Sequence, residues 1–412
     1  MSADRATATR VSPARDATLL VFGVNGFAFA SWMSRVPDVK QLLQLTPGLL
    51  GLLLLAVSVG SLLGLPMAGR LAHRIGAANT VRLGMLVALP GIACAAVAVQ
   101  YSGSLWWVMP GLFLLGLGVG VWDVAQNLEG TIVERELDRA IMPWFHAAFS
   151  GGTVLGALVG AGLVWLRVPL VAHLVVVAAL GAIAVWWGTG RFLPSFDDDA
   201  EAEAAGNAPQ RSAWFEPRTL LIGLMVLAAA FAEGTANDWM AVAFVDGHGL
   251  DNALGVVALA VFLFFMTAGR ILGTQLLDRY GRVPVLRILF AAAIVGCALV
   301  VFGNTWVAFI GCAIWGLGAS LGFPVGMSAA ADDPNRAAVR LSVASSIGYT
   351  AFLAGPPLLG FLGDHYGILN SLLVVGAVSV LAHRTLLSTE AHLDRRSATS
   401  IIADLVAHTP VP

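Results

Sequence analysis

Charged side chains are scarce in this sequence. Asp, Glu, Lys and Arg make up 12% of the 412 residues, whereas 58% are hydrophobic, and the mean hydropathy is +0.82. A water-soluble fold of this composition would expose far more apolar surface than such folds tolerate. The sequence therefore predicts an all-α integral membrane protein whose helices are covered by lipid.

Cysteine and cofactor motifs are also nearly absent. Cys94, Cys297 and Cys312 all fall within apolar segments, which argues against a disulfide framework. No phosphate-binding loop of the form G-x-x-x-x-G-K-S/T occurs, so ATP coupling within this chain is not expected. We expect no metal, no cofactor and no nucleic-acid partner. The expected energy source is a proton gradient, and the expected partners are a small solute, protons and membrane lipid.

Long apolar segments dominate what is present. A membrane-spanning helix takes about 20 apolar residues, and twelve segments of suitable length occur. Their predicted limits are 17–35, 48–69, 82–100, 104–129, 141–166, 168–189, 218–244, 253–277, 285–302, 305–328, 337–361 and 365–386.

The basic residues predict the orientation, because Lys and Arg accumulate in cytoplasmic loops. With a cytoplasmic N-terminus, only Arg35, Lys40 and Arg167 of the 23 basic residues fall on the outer side. We therefore expect both termini in the cytoplasm of a bacterium and the spans in its inner membrane. A cleaved signal peptide is the alternative for the first span, since Ala28-Phe29-Ala30 has the A-x-A form.

One turn occurs twice. The segment 69–76 (GRLAHRIG) is followed 205 residues later by 274–281 (TQLLDRYG), and each closes a long apolar segment. A second offset, of 200 residues, pairs Gly116 with Gly316. Such duplication is typical of secondary transporters. We predict a six-helix half over 1–189, a cytoplasmic linker over 190–217, a second half over 218–386 and a cytoplasmic tail over 387–412, in a monomer.

The repeated turn resembles the G-x-L-A-D-R-x-G-R motif of the major facilitator superfamily, and the chain resembles that family over essentially its whole length. The first copy departs from the motif, with His73 at the aspartate position, while the second keeps Asp278. The resemblance implies two six-helix bundles and a cytoplasmic charge network that latches them. The candidates for that network are His73, Arg74, Glu129, Arg270, Asp278, Arg279 and Arg282.

Two further segments, 123–130 (DVAQNLEG) and 142–150 (MPWFHAAFS), are similar to a subgroup that contains MosC-like rhizopine permeases. They do not identify a substrate. Glu129 is expected near the cytoplasm, too shallow to be buried.

Polar residues within spans four and five are the first candidate site. Asp123 and Asn127 are four apart on one helical face, and the antiparallel return of span five predicts that His146 and Ser150 meet them. Charge at membrane depth is costly and usually faces a cavity or a partner. This cluster is either a fixed hydrogen-bonded clamp or a proton site, with Asp123, Asn127 and His146 as coupling candidates.

Polar residues of the other spans are candidates for solute binding. Glu233 lies near the middle of span seven, and Asn237 lies one turn further on the same face. The Gly355-Pro356-Pro357 run predicts a bend or break in span eleven. The full set of candidates is Asn25, Trp32, Ser150, Glu233, Asn237, Trp315, Ser346 and Tyr349.

An outer gate is expected between spans one and seven. Arg35 ends span one and Asp238 lies near the end of span seven, so an ion pair between them would form in one transport state and break in the other. The resulting function is a permease that moves a small polar solute by alternating access, coupled to protons. The alternatives are an exporter of an amphipathic metabolite or drug, a transporter-like sensor without net flux, and a membrane enzyme that uses Asp123 and His146.

Overall fold

The computed structural model describes residues 2–139, 141–193, 212–333 and 336–384. Within these ranges the regular structure is helical and no strand is assigned. The helices are α1 (Ser2–Met33), α2 (Val36–Leu42), α3 (Pro47–Tyr101), α4 (Leu105–Leu137), α5 (Met142–Trp165), α6 (Leu170–Thr189), α7 (Pro217–His248), α8 (Asn252–Tyr280), α9 (Arg282–Phe302), α10 (Thr305–Ala319), α11 (Gly322–Ala330), α12 (Ala337–Tyr366), α13 (Ile368–Ser371) and α14 over 373–384. A short 3₁₀ turn, Ala213–Phe215, precedes α7.

These helices form the twelve predicted spans. Nine helices in the described ranges are long and apolar enough to cross a membrane. The longest, α3, has 55 residues, about 80 Å at 1.5 Å per residue, and it leaves helical geometry at Gly76. It therefore supplies two spans. The 30 residues of α12 and the 17-residue segment Ile368–Arg384 complete the set.

The duplication is visible in the backbone. Gly76 has φ 77° and ψ 161°, and Gly281, 205 residues later, has φ 80° and ψ 167°. This left-handed φ is costly for residues with a Cβ, which explains a glycine in both turns. Gly116 packs against the Val57 carbonyl, and Gly316 packs against the carbonyl of Phe262, 205 residues beyond Val57. Both offsets in the sequence therefore correspond to one repeated helix packing.

The two halves meet along two pairs of helices. The α3 helix packs against α12, and α5 packs against α8. Close approach of α3 and α12 is possible because glycines face each other's backbones: Gly51 lies against the Pro356 carbonyl, and Gly360 lies against Pro47. Small residues permit such contacts in lipid, where no hydrophobic effect drives helices together.

Three local features differ from the sequence predictions. Span eleven is not broken, because α12 continues through Pro356 and Pro357, and the predicted bend stays a prediction. Span ten is the interrupted one, at Ser320 and Leu321 between α10 and α11. The short helix α2 is a further element that hydropathy did not reveal, since its seven residues cannot span a membrane.

The predicted limits of the halves, linker and tail stay predictions. The sixth span ends at Thr189 and the seventh begins at Pro217. The acidic part of the linker, 197–203, and the tail from residue 385 lie outside the described residues.

Candidate functional site

A polar latch closes the outer side between the two halves. Lys40 of α2 forms an ion pair with Asp246 of α7, with 2.9 Å between Nζ and Oδ2. Lys40 is the only lysine in the chain. Asn252, at the start of α8, donates to the Asp38 carboxylate at 2.6 Å and is hydrogen-bonded to Gln41.

A second outer contact joins spans two and eleven. Asp364, near the end of α12, accepts the backbone N–H of Gly48 at 3.0 Å at the start of α3. The N-terminus of a helix carries free N–H groups and a partial positive charge, so a carboxylate is stabilised there. The contacts of Asp38, Lys40, Gln41, Thr46 and Gly48 with the second half all lie on this outer side.

The predicted ion pair between Arg35 and Asp238 does not form, so this prediction of the gate residues is wrong. Arg35 donates to Asp38 at 2.7 Å and to His173 of α6 at 2.9 Å, both within its own half. Asp238 has no ion pair or side-chain hydrogen bond in the described part of the chain and is half-buried. It lies deeper in α7 than the latch, because Asp246 is about two turns further along the same helix, so Asp246 meets α2 instead.

The sequence signal for this latch was weak but present. Lys40 was one of only three basic residues on the outer side, an unusual position for lysine. Pro37 lies in the first turn of α2, where proline favours a helix start. Periodicity could not pair Lys40 with Asp246, because half of the 412-residue chain separates them.

The cytoplasmic motif residues form no latch between the halves in the described structure. Arg70, His73 and Arg74 are exposed, as are Asp278 and Arg279. Arg282 pairs with Asp332 at 2.7 Å within the second half. With the outer side joined and the cytoplasmic side unlatched, the arrangement is inward-facing.

Glu129 does not lie in the exposed position expected for it. It is fully buried, and its Oε1 accepts the backbone N–H of Leu193 at 2.8 Å, at the start of the linker. The side chain reaches back from α4 to the chain leaving α6. Glu129 therefore anchors the end of the first half and is not part of a charge network between the halves.

Spans four and five do not form the expected polar cluster. Asp123 accepts from Gln126 at 2.9 Å, and the Asn127 amide donates to the Asp123 carbonyl within α4. His146 is exposed and packs edge-on against Phe22 of α1. The reason is that α5 packs mainly on α1 and touches α4 little.

Asp123 and His146 instead lie within electrostatic range of charged or polar groups of the second half. The Asp123 carboxylate acts electrostatically on Tyr349 of α12. Arg270 of α8 acts in the same way on His146. Both groups are therefore near the plane where the two bundles meet, and Asp123 is only partly covered.

Glu233 has a partner that the sequence did not reveal. Both of its carboxylate oxygens accept from Arg270 at 2.8 Å, and the pair is partly accessible, with 17% of the Glu233 side chain and 26% of Arg270 exposed. Arg270 also donates to the Ser320 carbonyl at the break in span ten. Arg270 was expected in a cytoplasmic latch, whereas it is partly buried within the second half and bonded to Glu233 and Ser320.

The predicted solute contacts divide by accessibility. Glu233, Asn237, Ser346 and Tyr349 remain at least partly accessible. Four others are enclosed and cannot touch a solute in this conformation: Asn25, Trp32, Ser150 and Trp315. Trp315 packs edge-on against Phe262 inside the second bundle.

This geometry defines a class of protein. Two similar six-helix bundles are joined at one membrane face and enclose ionisable side chains from both halves. Binding at such an interface, exposed to one side at a time, is the architecture of a secondary transporter. The described residues contain no group of three or more His, Cys, Asp or Glu that could hold a metal.

Comparison with known proteins places the chain in a family. The sequence matches the Major Facilitator Superfamily over residues 18–349 and 258–401. It is 31% identical over 369 residues to the uncharacterized transporter y4wD of Sinorhizobium fredii, covering 87% of this chain and 94% of that protein. The chain therefore belongs to the major facilitator superfamily. It is a transporter and not an enzyme, like the relatives of this family that it matches.

Other relatives and structures agree. The membrane protein MosC of Rhizobium meliloti is 25% identical over 365 residues, with 87% of this chain and 86% of MosC covered. A mutant of the nucleoside transporter NupG superposes with a TM-score of 0.74 at 14% identity, over 91% of this chain and 99% of that one. A D-xylose-proton symporter gives 0.67 at 15% identity, over 90% and 96%. At these identities the structures support the fold alone.

Proposed function

We propose that this chain moves a small polar solute across the bacterial inner membrane by proton-coupled alternating access, with Asp123 as the coupling acid. The observation that carries the proposal is the position of Asp123. It lies at membrane depth, partly accessible, with one amide as its side-chain partner and with Tyr349 of the other half within electrostatic range. A carboxylate there can bind a proton from the cavity and alter the interaction between the halves.

The solute would bind beside this acid. Glu233 and Arg270 present a carboxylate and a guanidinium from one wall, and Asn237 offers an amide one turn along α7. Tyr349 and Ser346 add hydroxyl groups from α12. Such a wall, rich in donors and acceptors, suits a small solute with several hydroxyl or amino groups better than a large apolar one. The sugar and nucleoside transporters of the same fold support this size class.

The coupling role is tested by transport in proteoliposomes. A thermal-shift screen of polyols, sugars and amino compounds first identifies a solute, since binding to the folded state raises its stability. Asp123→Asn is then expected to abolish accumulation driven by a pH gradient and to retain solute counterflow, because counterflow needs no net proton movement. Glu136→Gln, an exposed acid on the same helix, is the matched control.

The outcomes separate the alternatives. Wild-type accumulation by Asp123→Asn would rule out Asp123 as the coupling acid. Counterflow by the wild type separates transport from solute sensing. The sign of the response to an imposed pH gradient separates uptake from export.

A further inference from the structure

His173 lies at the outer end of the first half, next to the latch but not within it. It occupies the first turn of α6 and is 97% buried, with 3% of its surface exposed. Its Nδ1 accepts the Nε–H of Arg35 at 2.9 Å. A ring nitrogen that accepts a hydrogen bond carries no proton, so this contact exists only with neutral His173.

The contact leads through Arg35 to the other half. The Arg35 guanidinium donates from a second nitrogen to Oδ2 of Asp38 at 2.7 Å. The remaining oxygen of Asp38, Oδ1, accepts from Asn252 of α8 at 2.6 Å. His173, Arg35, Asp38 and Asn252 thus form a continuous chain from α6, through α2, to the second bundle.

In the described part of the chain, the charged side chain that is hydrogen-bonded to His173 is a cation, which opposes a proton on the ring. Arg35 faces it from the turn between α1 and α2, and Gly160 of α5 lies beside its ring next to the Ser34 hydroxyl. Asp38 is engaged by Arg35 and Asn252. Arg167, in the turn before α6, is a further cation, and the free N–H groups of the α6 N-terminus also repel positive charge. Nε2 has no hydrogen-bond partner in the described structure.

We propose that His173 is a pH-responsive support of the outer latch, which opens the outer side when protons are abundant outside. Protonation puts an N–H on Nδ1 and a second cation against Arg35. The hydrogen bond is lost, Arg35 is repelled, and Asp38 no longer holds its oxygens towards both Arg35 and Asn252. The outward-open state is then favoured because the closed state has lost the Asp38–Asn252 contact that joined α2 to the second half. This role is independent of Asp123.

The test measures the distance between the outer ends of the two halves. Tyr101→Cys and Trp306→Cys place spin labels at exposed positions 205 residues apart, one in each half. Cys94→Ala removes the exposed natural thiol, while Cys297 and Cys312 are buried and stay unlabelled. Pulsed electron paramagnetic resonance on the full chain in lipid nanodiscs gives the distance distribution at about pH 7.5 and about pH 4.5, well above and well below the ordinary range of histidine.

The expected result is a shift of the wild type towards longer distances at the lower pH. His173→Gln retains a hydrogen-bond acceptor but cannot gain a proton there, so it is expected to lose the shift and stay closed. His173→Arg carries a charge that does not titrate in this range and is expected to be open at both values. An unchanged wild-type distribution, or an undiminished shift in His173→Gln, would overturn the proposal.

A fourth protein keeps the test decisive if a change at the buried histidine prevents folding. Asn252→Ala cuts the same chain at its last link, at the start of α8. It is expected to show longer distances than the wild type at the higher pH and little further change at the lower one, because His173 is then no longer connected to the second half, although the Lys40–Asp246 pair remains. A closed outer side that still opens at the lower pH in Asn252→Ala would also contradict the proposal.

Discussion

At the scale of single residues, partners decided the role of each ionisable side chain. Glu233 was predicted as a solute ligand, and the structure gives it Arg270 as well. Arg35 was predicted to reach Asp238, yet it pairs with Asp38 and His173. The residue types at membrane depth were recognisable from the sequence because charge there is costly. Their pairing depends on how each helix is rotated, which local periodicity does not determine.

The Glu233 and Arg270 pair leads to a prediction about stability. Glu233→Gln leaves the Arg270 charge without its counter-charge in a partly enclosed site. We expect a loss of about 1 to 3 kcal/mol in unfolding free energy, between the values for exposed and buried pairs. Arg270→Gln should behave similarly, and the double variant Glu233→Gln/Arg270→Gln should recover part of the loss. Denaturation in detergent measures all three.

The control for these single and double variants is the exposed ion pair of Arg15 and Asp16, with 2.8 Å between a guanidinium nitrogen and Oδ1. Its variants should change stability by less than about 1 kcal/mol. Additive losses at Glu233 and Arg270 would show that the two side chains do not interact. If Glu233→Gln were as stable as the wild type, the residue would return to the role of a solute ligand alone.

At the scale of helices, the ends of spans are joined by carboxylates. Glu134 accepts the backbone N–H groups of Ile141 and Met142 at 2.7 Å and so caps α5. Glu216, just before α7, pairs with Arg336 and Arg340 at the start of α12. Glu134 thus accepts from N–H groups that the helix itself leaves free. Glu216 counters the charges of two arginines.

The cytoplasmic cluster of Glu216 predicts a dependence of stability on pH. The hydrogen bond from Arg340 lowers the pKa of Glu216 below its ordinary value, with smaller contributions from Thr219 and from the charges of Arg340 and Arg336. A carboxyl group with a lowered folded-state pKa contributes stability above its unfolded pKa of about 4.3, and that stability is lost as the pH falls through the folded pKa.

Thermal unfolding of wild type and Glu216→Gln should therefore differ at about pH 7 and converge as the pH falls below about 4. Glu136→Gln, an exposed acid without an ion pair in the described structure, provides the control and should run parallel to the wild type. A constant difference across this range would mean that Glu216 stabilises the fold by packing and not by charge.

At the scale of the whole molecule, the closed outer side depends on close backbone contact between α3 and α12. A methyl group on Gly360 would come 2.6 Å from the Pro47 carbonyl oxygen, and Gly51 is equally tight against Pro356. Real Cβ atoms do not approach backbone so closely, so a side chain there cannot be accommodated in the inward-facing state. It can be accommodated once the outer ends separate.

We therefore expect Gly51→Leu and Gly360→Leu to favour the outward-open state. Separation frees Lys40, which has 18% of its side chain exposed while paired with Asp246. As the only lysine, it can be followed by mass spectrometry after reaction with a membrane-impermeant amine reagent at constant pH. Its modification rate should rise in both variants. The control is Gly162→Leu, at a glycine with open space around it, which should leave the modification rate unchanged. If the rate were also unchanged in Gly51→Leu and Gly360→Leu, the outer contact would not be what restrains Lys40.

The sequence by itself determined the solvent, the number of spans and the duplication, since hydropathy over about 20 residues and repeated turns are local properties. The family resemblance could also be seen in the sequence, because its motif lies within one loop, and the family match confirmed it. Only the tertiary structure decided that Lys40 meets Asp246, that Glu129 anchors Leu193 and that His173 supports Arg35. These contacts join residues distant in the chain, and they depend on helix rotation, crossing angle and the transport state, which no local pattern records.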